Sequence, residues 1–286
     1  MLSGILNEEE LLAIRFYMGD PEVAENGPYE GGTEAYNTIN ALMHPGSANE
    51  QDKAKEGRVI MLTGSDQLKS YLALILHIYR AMEKYSQSSL KAGGEEHGGA
   101  ASLTFRLDRL SSLQRFEADH HRVAGFFSTC KRGFLPEYAH KKADVVMLEV
   151  ERDSSVPFLD FEDIFESCYA KPEEAEVLLP FGMIIDRMVP LNLSEQESKL
   201  YRDINGQPPA GKWRLHMTME PWPEVSEEKL QKLYQAVTEE KTVGRVMNCM
   251  DLLTAGEMLT DDEEVFYGTW KKQLQQYIMG TLGQQR

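Results

Sequence analysis

The stretch Glu174-Ala175-Glu176-Val177-Leu178-Leu179-Pro180 places two carboxylates two positions apart at the head of an apolar run. On an extended strand, side chains alternate with a period of two. Both carboxylates would then share one face while Val177 and Leu179 point into a core. Pro180, with no N–H to give to a ladder, closes the run. Two like charges a few ångströms apart are costly unless a cation, or a transition state that becomes cationic, answers them. The spacing alone is not diagnostic in a chain with 46 Asp and Glu among 286 residues, and Glu8/Glu10, Glu149/Glu151 and Glu195/Glu197 repeat it. What separates Glu174/Glu176 is the Val-Leu-Leu-Pro that follows, and two elements upstream in order: Phe105-Arg106, then Phe127-Ser128-Thr129-Cys130.

These residues need rigid elements to hold them. Leu103 to Leu107 alternates as a strand, 144–150 is a near-continuous apolar strand, and 123–129, 176–179, 183–185 and 213–219 read as further short strands. Short strands without regular intervening helices predict antiparallel sheets rather than a βαβ array. Helices flank them. One runs over 7–18, with Asn7 as cap and Glu8-Glu9-Glu10 at the positive end. A second, over 33–44, carries Tyr36, Ile39, Asn40 and Leu42. A third, over about 65–86, has Leu68, Tyr71, Leu72, Ile75, Leu76, Ile78, Tyr79 and Met82 at helical spacing, a core-packing stripe. Residues 47–58 read as a polar connector. Residues 86–101, with Gly93-Gly94 and Gly98-Gly99, read as a linker or a long loop. After Pro221-Trp222-Pro223 the pattern is helical again, over 226–240 and 262–279, with 243–258 unassigned. The class expected is α+β.

In this order and with these neighbours, the motifs resemble the arginine–serine–glutamate class of mono-ADP-ribosyltransferases. Members of that class carry an Arg, a Ser-Thr-Ser run and a Glu-x-Glu on two packed antiparallel β-sheets. The helix with Tyr36, Ile39, Asn40 and Leu42, preceded by Ala13-Ile14-Arg15-Phe16-Tyr17, is similar to a helix of the same family. The resemblance covers roughly residues 8–185. It implies an ADP-ribosyltransferase-like catalytic domain over 1–223 (helical over 1–90, sheets over 102–220), followed by a helical C-terminal extension over 224–286. Two positions depart from the family pattern. Cys130 stands third in the Ser-Thr-Ser run, and Leu107 stands where many members have Gly.

The resemblance also implies the chemistry: cleavage of the nicotinamide–ribose bond of NAD⁺ and transfer of ADP-ribose to a protein side chain, arginine foremost. The transition state resembles an oxocarbenium ion. Nicotinamide departs neutral, so the site must supply cation stabilisation and orientation. Glu176 would stabilise the developing charge through the ribose hydroxyls. Arg106 would hold the pyrophosphate or ribose, since guanidinium makes bidentate bonds to phosphate oxygens. Arg109 lies close enough to leave the choice between the two arginines open, although Phe105-Arg106 matches the family's aromatic-Arg pairing. Ser128 would orient the carboxylate or the nicotinamide ribose, with Thr129 in support. Glu174 would pair an acceptor guanidinium and Tyr169, in the loop before it, would stack on that group. Residues Lys131 to His140 would cover the nicotinamide, Phe134 by stacking. Water as acceptor would make the same site an NAD⁺ glycohydrolase. The departures at Leu107 and Cys130 fit an inactive NAD⁺-binding protein.

Bulk properties narrow the alternatives. The formal charge of −16 argues against nucleic acid as the main partner. No apolar run nears ~20 residues, so no membrane partner is expected. The first residues show neither a basic segment nor a long apolar one, which predicts a cytoplasmic protein or an effector exported by a signal-peptide-independent route. Three scattered cysteines, Cys130, Cys168 and Cys249, form no zinc pattern, and His120-His121 cannot converge on one ion, so no metal is expected.

Overall fold

The stretches around 103–107, 144–150 and 176–179 become strands of one mixed sheet in the computed structural model, which describes residues 4–20, 22–23, 29, 62–92, 103–118, 121–123, 125–135, 144–165 and 175–284. The expected helix over 33–44, the connector over 47–58, Tyr169 and Glu174 lie outside the described residues. The chain packs as two compact units, one formed by Ser3–Ala81 with Pro221–Arg286 and the other by Met82–Glu220.

The first unit is helical. Helix α1 (Glu8–Tyr17) begins as its sequence predicts: Asn7 accepts from the Glu10 N–H while the Glu10 carboxylate accepts from the Asn7 N–H. Helix α2 (Ser65–Ala92) runs beyond the expected end at 86. Leu68, Leu72, Ile75, Ile78 and Tyr79 of its stripe are all buried.

Chain order in the second unit is β1 (Leu103–Arg109), α3 (Leu110–Ala118), β2 (Phe127–Cys130), β3 (Val145–Arg152), β4 (Leu159–Asp160), α4 (Phe161–Phe165), β5 (Glu176–Leu179), β6 (Ile184–Leu191), α5 (Glu195–Asn205) and β7 (Gly211–Thr218). The chain then returns to the helical unit with α6 (Glu227–Thr238), α7 (Glu240–Thr254) and α8 (Asp261–Gly283). Helix α7 occupies the region that the sequence pattern left unassigned. In this unit the Trp222 indole donates to the Tyr79 hydroxyl at 2.8 Å, and the Trp270 indole to the Val237 carbonyl at 3.1 Å. Both buried rings thereby place their one polar atom.

The seven strands run in the order β4-β5-β2-β1-β3-β7-β6. The α+β class is as expected, but the two packed antiparallel sheets are replaced, among the described residues, by one sheet with one parallel pair. Strand β3 is the reason. It is bonded over its length to β1 on one side, antiparallel, and to β7 on the other, parallel. A single pair, Phe105 with Cys130, then joins β1 to β2 and through it to β5 and β4.

One face of this sheet is apolar core. Val146, Leu148 and Val150 of β3 share it with Leu215 and Met217 of β7, all fully buried. The opposite face is mixed. At one end Leu107, Val145, Met147 and Tyr201 of α5 form a buried cluster, joined by Phe134 and Leu193. Helix α5 carries the sequence signature of a start, with Ser194 and Glu197 capping each other reciprocally, and Gly206 at φ 78° ends it.

Candidate active site

Strand order brings the three expected positions onto adjacent strands: Glu176 on β5, Ser128 on β2, Arg106 on β1. Register decides which faces they occupy. Cys130 pairs with Glu176 on one side and with Phe105 on the other. Phe105 in turn pairs with Glu149, and Glu149 with Arg214. Paired residues share a face, so Glu176, Cys130, Phe105, Glu149 and Arg214 form one row across the mixed face. Ser128 lies one pleat along in β2, opposite Leu178, on that same face. Ser128 and Glu176 are thus diagonal cross-strand neighbours, about 7 Å apart at Cβ. Both are half-buried.

Arg106 belongs to the other face. Its guanidinium lies over the Phe127 ring, 4.4 Å from the centroid. Nε donates to Asp108 Oδ2 at 2.7 Å and Nη1 donates to the Ser128 carbonyl at 2.8 Å. Asp108 Oδ1 accepts from the Ser112 hydroxyl and from the Arg109 N–H. Burial alone would raise the Asp108 carboxyl, but Arg106 and Ser112 outweigh it and hold the pKa down at about 2. Arg109, the other arginine considered from the sequence, pairs with Val145 and so shares the mixed face with Leu107 and Met147.

Thr129 faces inward with Arg106. It is buried, and its hydroxyl donates to the Val177 carbonyl at 2.8 Å, tying β2 to β5. Phe134 stands edge-on to Phe105, with ring centroids 5.1 Å apart, and caps the cluster of Leu107, Val145 and Met147. Gly133, at φ 111°, makes the turn that delivers it.

At the start of β5 the structure corrects the reading of Glu174-Ala175-Glu176 as continuous strand. The strand begins at Glu176, and Ala175 has φ 40°, in the left-handed region. Period-two alternation needs extended backbone at the middle residue, so it does not fix where Glu174 points relative to Glu176. Ala175 is fully buried, and its carbonyl accepts from the Lys131 N–H at 3.2 Å.

Side chains that the sequence reading passed over support this arrangement. Lys131 Nζ donates to Asp160 at 2.6 Å and lies 2.8 Å from Glu162, anchoring the chain just after Cys130 to β4 and α4. Partial burial opposes the Lys131 charge, but the two carboxylates outweigh it and raise its pKa. Further along the row, Glu149 lies 3.0 Å from Lys212 and accepts from Arg214 at 2.5 Å, while Lys212 also donates to Glu197 at 2.9 Å. Burial works against the Glu149 charge and the two cations overcome it, lowering its pKa. Glu149/Glu151 repeat the Glu-x-Glu spacing, and the signal of their different role is the parallel β7, where Arg214 and His216 stand opposite them.

No protein-family model matches the chain, and no curated protein matches it in sequence. Two solved structures are similar to it. One is the ADP-ribosylating toxin BECa of a binary enterotoxin of C. perfringens, with NADH: 14% identity and a TM-score of 0.38, over 74% of this chain and 44% of that one. The other is the ADP-ribosyltransferase Vis in complex with agmatine: 16% identity and a TM-score of 0.28, over 73% of this chain and 83% of that one. The chain spans less than half the length of the BECa chain.

Proposed function

We propose that the protein is an NAD⁺-dependent mono-ADP-ribosyltransferase that acts on a protein side chain, with arginine as the acceptor. One observation carries this reading: a serine and a glutamate, far apart in sequence, stand one pleat apart on the same face of adjacent strands β2 and β5. Glu176 sits at the first position of its strand, at a sheet end. In the reaction the bond between ribose C1′ and the nicotinamide nitrogen breaks, and its electron pair leaves with neutral nicotinamide. Glu176 stabilises the cationic ribose that remains, and the Ser128 hydroxyl orients the sugar or the carboxylate. A guanidine nitrogen of the acceptor then bonds to C1′ and loses a proton. Glu174 is the proposed base and positioning group for that step, with Tyr169 stacking on the acceptor. A guanidinium from β1 meets the pyrophosphate.

The test is incubation of the protein with labelled NAD⁺ and a lysate, followed by mass spectrometry of the modified acceptor. Transfer gives a labelled protein with ADP-ribose on arginine. Free ADP-ribose alone makes the protein a glycohydrolase instead. Glu176→Gln should lower turnover by about 10²–10³, roughly 3–4 kcal/mol of transition-state stabilisation. Unchanged turnover in that variant overturns the assignment.

A further inference from the structure

The proposed transferase reading needs one guanidinium for the dinucleotide, and β1 offers two. Alternation along β1 separates them. Arg106 lies on the face of Asp108, Phe127 and Thr129, and Arg109 on the face of Phe105, Leu107, Ser128 and Glu176. Across β1–β2 the assignment rests on the Phe105–Cys130 pair and on the Arg106 guanidinium over the Phe127 ring, which puts Arg106 on the face opposite Ser128. The β1–β3 register is continuous from Leu103 to Arg109, and the cluster of Leu107, Val145 and Met147 identifies the face independently.

We propose that Arg109 is the side chain that meets the pyrophosphate, and that Arg106 is a positioning residue acting through the backbone of Ser128. The inference rests on the transferase reading above. Arg106 is engaged with protein at three points: a carboxylate, a carbonyl and an aromatic ring. Its charge is matched by buried Asp108, which leaves little field for a dianionic ligand. Its bond to the Ser128 carbonyl fixes the strand that presents the serine hydroxyl on the far side. Arg109 stands two residues along from the row of Glu176 and Phe105, then two more. At ~3.4 Å per residue and ~4.8 Å between strands, its Cα lies about 8 Å from that of Ser128 and about 17 Å from that of Glu176. That separation is of the order that a ribose with its pyrophosphate spans between two extended side chains.

The full-length parent, Arg109→Gln, Arg106→Gln and Arg106→Lys are compared in two measurements. The first is calorimetric affinity for NAD⁺, ADP-ribose and nicotinamide riboside, the last of which has no pyrophosphate. The second is amide hydrogen exchange over residues 127–130. Arg109→Gln should weaken NAD⁺ and ADP-ribose about 10- to 100-fold, leave nicotinamide riboside unchanged, and exchange like the parent. Arg106→Gln should speed exchange in β2, and Arg106→Lys should restore part of the protection. The assignment is overturned if Arg109→Gln binds NAD⁺ as the parent does, or if an Arg106 variant loses NAD⁺ and ADP-ribose with β2 exchange unchanged. A parent that binds none of the three ligands removes the transferase reading itself, and the role of Arg109 with it. Should Arg106→Gln fail to fold, Arg106→Lys and Arg109→Gln decide the matter.

Discussion

Asp108 shows how much one carboxylate does at the end of β1. It receives the Arg106 guanidinium on one oxygen, and on the other it accepts from the Arg109 N–H and from the Ser112 hydroxyl of α3. Its folded pKa of about 2 lies below the ordinary value of ~3.9 for an unfolded chain. A depressed carboxylate stabilises the fold above its unfolded pKa and loses that contribution as pH falls through the folded value. About 2 kcal/mol should therefore be fully present above roughly pH 5, mostly lost by about pH 2 and gone near pH 1. Denaturant midpoints of the parent measured from pH 6 to pH 2 should show this slope, and Asp108→Asn should lack it. Ala175 is the second residue with a sharp expectation, because its φ of 40° is one that β-branched side chains resist. Ala175→Val should cost about 1–3 kcal/mol and displace Glu176, which would also lower the proposed transfer. Ala175→Gly removes the strain and one buried methyl, so it should stay within about 1 kcal/mol of the parent. A melting curve of the valine variant that overlays the parent's would show that the left-handed turn is not required.

At the scale of elements, the close approach of α6 and α8 turns on Gly280. A Cβ there would come within 2.7 Å of Leu230 Cδ2 and 2.8 Å of Val225 Cγ2. Gly268, in the same helix, has nothing within 4 Å of its would-be Cβ. Helix propensity favours alanine at both positions by up to about 1 kcal/mol. Gly268→Ala should therefore raise the melting temperature. Gly280→Ala should lower it, since overpacking costs about 1–3 kcal/mol. Equal shifts in the two variants would contradict the packing of these helices. Among the strands, β2 is short and heavily anchored: Thr129 bonds across to β5, Lys131 to β4 and α4, and Arg106 to its own carbonyl row. Two attachments within β2 and a third at Lys131 just after it give the serine face a rigid support, as precise positioning requires.

For the molecule as a whole, the charge of −16 sets a field that would favour a cationic acceptor such as the arginine proposed above. Labelling of an arginine-rich polypeptide should slow several-fold between ~0.05 M and ~0.5 M salt, where the Debye length falls from roughly 14 Å to about 4 Å. A flat salt profile would confine acceptor recognition to short-range contacts. Local signals in the chain already determine much of this molecule. Asn7 with Glu10, the stripe from Leu68 to Met82, the alternation at 103–107 and Val177-Leu178-Leu179 specify helices and strands because caps and side-chain periods act within a few residues. The reciprocal cap of Ser194 and Glu197 was equally legible, and marks a helix that hydrophobic pattern alone passes over. Only the tertiary structure decided that β7 joins β3 in parallel to make one sheet, and that Arg109 rather than Arg106 shares a face with Ser128 and Glu176. Alternation tells which neighbours within a strand point together, whereas the register between strands is set by hydrogen bonds among segments far apart in the chain. Shifting that register by one residue moves every side chain to the opposite face.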